Sequence, residues 1–178
     1  MNGMQRWGWL TTLVLWLTGC TGVPEGITPV QNFDLQPYLG TWHEVARLDH
    51  RFERGLTRIT ATYSLREDGS VKVLNRGWDA AADKWKQAEG RALFVGASNE
   101  GRLKVSFFGP FYGAYNIIEV DPKSYSMICG PDRSYFWILS RQPQLDDATL
   151  KRLVSRAREL GFATDKLIYP AQLAQTRR

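Results

Sequence analysis

From Trp42 to Arg141 the chain repeats one instruction: a short run rich in β-branched and aromatic residues, then a cluster of Gly, Pro, Asp, Asn or Ser, then another run. Branched and aromatic side chains pack well on a pleated surface, whereas the intervening residues accept the dihedrals of tight turns, so the pattern predicts strands joined by hairpins. The candidate strands are Trp42 to Asp49, Thr57 to Arg66, Val71 to Trp78, Trp85 to Val95, Arg102 to Phe108, Tyr112 to Asp121, Tyr125 to Cys129 and Tyr135 to Arg141. In the second, Ile59, Ala61, Tyr63 and Leu65 alternate with Arg58, Thr60, Thr62 and Ser64, the period of a half-buried strand. Eight sequential antiparallel strands lose their two exposed edges by closing, and eight is the number whose interior either fills with side chains or holds one small ligand. After the eighth run the period changes, with Leu150, Leu153, Val154, Ala157 and Leu160 on one helical face behind an Asp146 or Asp147 cap. The expected fold is all-β: an eight-stranded antiparallel up-and-down β-barrel with one C-terminal α-helix packed outside.

The 178 residues, 43% hydrophobic and 23% charged, suit one domain with one hydrophobic core and exclude a disordered or polytopic membrane chain. The only sustained apolar stretch lies within the first 19 residues. There Arg6 precedes the short run from Leu10 to Leu17 and the trio Thr18-Gly19-Cys20, which is the order of a secretory signal peptide. Leu17-Thr18-Gly19-Cys20 resembles the bacterial lipobox, in which a lipid is attached to the cysteine and cleavage occurs before it. That resemblance makes Cys20 the first residue of the mature chain and its membrane anchor, with Thr21 favouring the outer membrane over the inner one. Residues 21–31, with Gly22, Pro24, Gly26 and Pro29, lack periodicity and read as a tether needing no structure. The expected boundaries are a signal peptide at 1–19, a lipidated N-terminus and tether at 20–32, a barrel domain at 33–170 and a tail at 171–178.

Gly40-Thr41-Trp42 opens the first strand, Val120-Asp121 precedes a tight turn, and Ile138-Leu139-Ser140-Arg141 closes the eighth strand ahead of the helix. With the longer blocks Gly40 to Leu56, Val105 to Tyr115 and Cys129 to Arg141, these residues resemble bacterial lipocalins, outer-membrane lipoproteins similar to apolipoprotein D, over about residues 33–170. The resemblance implies that Trp42 plugs the closed end of the barrel beneath the Arg141 guanidinium, with Gly40 completing the motif. Together with the observed alternation it turns Ile59, Ala61, Tyr63, Val73, Val105, Phe107, Tyr115, Ile117, Tyr135 and Trp137 inward as ligand-binding residues. The inner face of the strand from Ala88 to Val95 stays unassigned, because apolar residues occupy both parities. The small residues Ala61, Gly77, Ala114 and Ser126 favour a cavity over a solid core. In this family the loop after the first strand covers the mouth, which makes Phe52 a ligand contact and Arg51 or Arg54 a partner for a carboxylate or phosphate; a plain solvated loop is the alternative.

Other chemistries find little support. His43 and His50, the only histidines, have no metal-ligand spacing around them, and no motif implies a cofactor. Without Arg6 the chain holds 22 basic against 18 acidic residues, a balance of +4 spread without a basic run, which excludes a nucleic-acid partner. The expected function is non-enzymatic: an outer-membrane lipoprotein facing the periplasm that binds and stores or transports a fatty acid or lysophospholipid. Its partners are that ligand and the membrane through lipidated Cys20, with monomer and homodimer both left open. The alternatives are an envelope interaction protein using its barrel loops, and a barrel enzyme using Cys129, although family register puts that thiol outside the barrel with Met127.

Overall fold

The eight runs close on themselves. In the computed structural model, which describes residues 21–170, the strands are β1 (Gly40–Arg47), β2 (Leu56–Leu65), β3 (Val71–Asp79), β4 (Lys84–Phe94), β5 (Arg102–Phe108), β6 (Phe111–Asp121), β7 (Tyr125–Cys129) and β8 (Phe136–Ser140). Each pairs antiparallel with the next and β8 returns to β1, so no edge is left open. The signal segment 1–19, Cys20 and the tail 171–178 lie outside the described residues. Strand ends differ from the sequence expectation by a residue or two; Gly40 and Thr41 join β1, and Tyr135 lies in the loop before β8 rather than in the strand.

The turns after β2, β4 and β6 gather at one end and those after β1, β3, β5 and β7 at the other. A short helix, α1 (Leu35–Tyr38), closes the first end, started by the Asp34 carboxylate accepting from the Gln36 amide. Trp42 is fully buried against it, its Nε1 donating to the Tyr38 carbonyl at 2.9 Å and its ring 5.0 Å from that of Tyr38. The Arg141 guanidinium lies 3.7 Å from the Trp42 ring centroid, and its three nitrogens donate to the carbonyls of Pro122, Thr41 and Pro37. Gly40 has φ +94°, and a Cβ there would face the Arg141 Nη1 at 3.5 Å, so the left-handed turn into β1 suits glycine.

Two cores share the barrel wall. One fills the closed half of the interior with Trp42, Tyr63, Val71, Val73, Ile117, Ile128 and Leu139. The other lies outside, where Met127, Cys129, Phe136 and Ile138 pack against Leu153 and Ala157 of α2 (Asp147–Glu159). Asp146 caps α2 by accepting from the Thr149 amide at 2.9 Å.

The segment expected to be a loose tether is instead laid against the barrel. Gly22 O accepts from Asn116 Nδ2, Glu25 O accepts from Arg133 Nη2, Ile27 is buried, and Val30 exchanges backbone hydrogen bonds with Ile117 and Gly101. Gln31 then bridges to Glu100. Composition misled here: Val23, Ile27 and Val30 are too widely spaced to show a period, yet each meets an apolar surface made by distant residues.

Candidate functional site

The barrel is not packed shut. An open-ended cavity of about 810 Å³ runs from the interior core to the mouth, within the roughly 300–1,000 Å³ typical of small-molecule sites. Ile59, Ala61, Tyr63, Val73, Val105, Phe107, Tyr115, Tyr135 and Trp137 line it, as do Phe52 and Arg51 from the loop above. Two expectations need correction. Ile117 is fully buried nearer the closed end, under Gly101 and Val30, and does not reach the cavity. Arg54 does not line it either: its guanidinium is exposed and held by Asp49 at 2.6 Å, so Arg51 alone of the two arginines borders the cavity.

The unassigned strand turns its even residues inward, with Ala88 and Ala92 on the cavity. Gly90 lies between them because a Cβ there would sit 2.8 Å from the Phe107 ring, which takes that space. Gly77 works the same way: Leu56 and Ile59 fill the volume that its missing side chain frees, so this glycine shapes the wall without enlarging the cavity.

The cavity floor is a chain of hydroxyls. Tyr115 Oη lies 2.7 Å from Tyr38 Oη and 2.8 Å from Tyr63 Oη, and Tyr38 Oη also meets Ser126 Oγ at 3.2 Å. Burial pushes all three phenols up, Tyr38 to about 12, so they stay protonated and satisfy one another.

At the mouth the structure gathers charges that sequence reasoning missed. The β1–β8 register shifts between Glu44 and Ala46, and this bulge turns both Glu44 and Arg47 inward although they are three residues apart. Arg47 Nη1 donates to Glu44 Oε1 at 2.9 Å and its Nη2 to the Glu53 carbonyl at 3.0 Å. His50 Nε2 lies 2.9 Å from Glu53 Oε2, in ion-pair range but out of line for a hydrogen bond, and Trp137 Nε1 donates to the same oxygen at 3.3 Å. The loop after β1 is thereby tied to β1 and β8 from inside the barrel. The strand parity of Trp42 already places Glu44 on its inward face; the bulge that adds Arg47 has no signature in the sequence.

The two glutamates divide one role. Burial, reinforced by the Glu53 charge, raises the Glu44 carboxyl well above the ordinary 4.5 despite Arg47 and so favours its protonated form. Burial also opposes ionisation of Glu53, but contact with His50 and the donors from Glu44 and Trp137 outweigh it and hold this carboxyl below 4.5. The stabilisation from Glu53 is present above its unfolded value near 4.5 and lost as pH falls through the lower folded value. That from Glu44 runs oppositely, full below 4.5 and lost as pH rises through its raised value. Glu44→Gln, which imitates the neutral acid, is therefore expected to match or exceed the wild-type melting temperature at pH 8. Glu53→Gln, which removes the carboxylate that His50 and Trp137 meet and that faces the buried Arg47 Nε at 3.9 Å, is expected to lose about 3–5 kcal/mol by urea unfolding at pH 7. Equal effects of the two variants would refute this division.

Cys129 faces away from the cavity, fully buried under α2, and burial pushes its thiol up to about 12. A thiol so placed is neither ionised nor reachable, which removes the geometric basis for the enzyme alternative. The native protein should resist maleimide labelling at Cys129 at pH 7.5 and react only when unfolded; rapid native labelling would contradict the burial.

This geometry can be set beside known proteins. Outer membrane lipoprotein Blc of Vibrio cholerae is 51% identical over 158 residues, 88% of this chain and 92% of that protein. Rat apolipoprotein D is 37% identical over 135 residues, covering 70% of each. Among solved structures, insecticyanin from the tobacco hornworm superposes with a TM-score of 0.67 over 84% of this chain and 86% of its own, at 23% identity. The lipocalin-like domain family matches residues 33–172, and on that match, the 51% identity and the closed eight-stranded barrel, the chain belongs to the lipocalins.

Proposed function

We infer that this lipocalin is an outer-membrane lipoprotein, anchored by acylated Cys20 and facing the periplasm, that carries a fatty acid or lysophospholipid in its barrel. The observation that carries the reading is the cavity itself: about 810 Å³, apolar along most of its walls, with Asn75 as a polar group between Val73 and Gly77 and the other polar groups on the tyrosine floor and at the mouth. Such a site suits a molecule with an apolar body and one polar end. The chain would enter tail first, its methylenes against Ile59, Val73, Val105 and Phe107, and its head beside Arg51 and Tyr135. At about 0.8 kcal/mol per buried CH₂, a chain with twelve methylenes inside gains on the order of 10 kcal/mol before ordering costs of several kcal/mol, leaving micromolar or tighter affinity. No bond is made or broken, because burial alone supplies the binding.

Similarity to outer membrane lipoproteins supports the location and the anchor, while the apolar cavity supports the acyl chemistry of the ligand. Native mass spectrometry of the purified protein should show bound acyl lipid at one per chain, replaced on adding excess palmitate or lysophosphatidylethanolamine. A folded barrel that retains and binds neither would overturn the carrier reading in favour of a protein that only presents its loops.

A further inference from the structure

The mouth of the barrel carries side chains that a water-facing rim does not need. Phe52, Phe108 and Phe111 are 61%, 73% and 80% exposed, on the loop after β1 and at the tip of the β5–β6 hairpin. Large apolar groups exposed together at one end of a molecule mark a surface that is covered in use. Nearby, Arg51 stacks on Phe52 at 4.9 Å, Arg58 on Trp78 at 5.1 Å and Arg76 on Trp85 at 5.0 Å. None of these three arginines meets a carboxylate among the described residues, unlike Arg54, Arg66, Arg91 and Arg152, which all do. Exposed aromatics interleaved with unpaired guanidiniums fit the interface of a phospholipid leaflet, where rings sit among the headgroups and arginines meet phosphates.

A second observation keeps that surface near a leaflet. Gly22, two residues after Cys20, is held against β6 through the Asn116 amide, and consecutive Cα atoms are about 3.8 Å apart, so a barrel anchored at Cys20 has little chain between it and the membrane. The exposed aromatics and unpaired guanidiniums then decide which end of the barrel meets the leaflet.

We propose that the mouth docks face-on to the leaflet that holds the acyl chains of Cys20, with Phe52, Phe108 and Phe111 among the headgroups and Arg51, Arg58 and Arg76 on phosphates, so that ligand passes between membrane and cavity without crossing water. The proposal rests on the anchor assigned above.

The test uses the full lipidated chain in vesicles of phosphatidylethanolamine and phosphatidylglycerol, with an environment-sensitive dye on Phe111→Cys or, at the closed end, on Glu67→Cys. Buried Cys129 and acylated Cys20 leave one thiol for the dye. The dye at 111 is expected to shift blue and to be quenched by spin-labelled phospholipid, that at 67 to do neither, and Arg58→Glu with Arg76→Glu to reduce the quenching at 111. Equal quenching at both positions, or none at 111, overturns the docking. A blue shift at 111 that follows protein concentration in detergent without vesicles also overturns it and assigns the mouth to a second copy of the chain. Acyl lipid found in the cavity of a protein whose 111 dye is unquenched refutes docking but not carriage; a quenched dye over a cavity that binds no lipid does the reverse.

Discussion

Trp42→Ala is expected to destabilise the protein by about 3–5 kcal/mol and to lower the melting temperature by on the order of 10 °C. Three losses combine. The substitution leaves a cavity where a fully buried indole filled the space between Tyr38, the inner core and the Arg141 guanidinium. It leaves the Tyr38 carbonyl without its Nε1 donor. It also strips a cation–π contact worth about 0.5–2 kcal/mol from an arginine already committed to three carbonyls. Trp42→Phe keeps most of the packing and should lose less than half as much. Chemical denaturation of the two variants decides it, and a melting temperature within about 3 °C of wild type for Trp42→Ala would show that the closed end is held by something other than this plug.

Ala61→Trp should leave the barrel folded and weaken acyl-chain binding by roughly two orders of magnitude. Ala61 pairs with Trp42 across β1 and β2 and borders the lower cavity, so an indole there fills the depth that a chain terminus would occupy. Excluding about four methylenes at 0.8 kcal/mol each removes about 3 kcal/mol, which is more than a hundredfold in Kd. Because the new side chain enters empty space, the melting temperature should change little compared with an overpacked core. Calorimetric titration with palmitate separates the outcomes: unchanged affinity in a folded variant would place the ligand outside the lower cavity.

Strand count, barrel closure, the outside helix and most inward residues were legible because they depend on periods that side chains must obey when one face is buried. Ile59, Ala61 and Tyr63 show period two directly. What was not legible depends on contacts made at a distance. Ile117 has the right parity for the cavity but sits at a depth set by the N-terminal segment crossing beneath it. Arg54 looked free to meet a headgroup until the loop's turn brought Asp49 to it. On β4 the inward face is set by small residues, Ala88, Gly90 and Ala92, whose sizes make room for Phe107 and the cavity, so hydrophobicity alone pointed both ways. The buried group of Glu44, Arg47, His50 and Glu53 hides furthest, because it needs a bulge and a loop to converge, and only Glu44, by its parity with Trp42, stands out from an ordinary surface charge.

The three acceptors of Arg141 are all backbone carbonyls, which neither titrate nor carry a net charge for salt to screen. The opposite end is fastened through the carboxyl groups of Glu44 and Glu53, whose protonation follows the surroundings. The barrel thus has a chemically indifferent base and a responsive rim: acidification through the lowered value of Glu53 withdraws that carboxylate's hold on the mouth while the closed end stays shut, giving a symmetric-looking cylinder a built-in polarity of yielding.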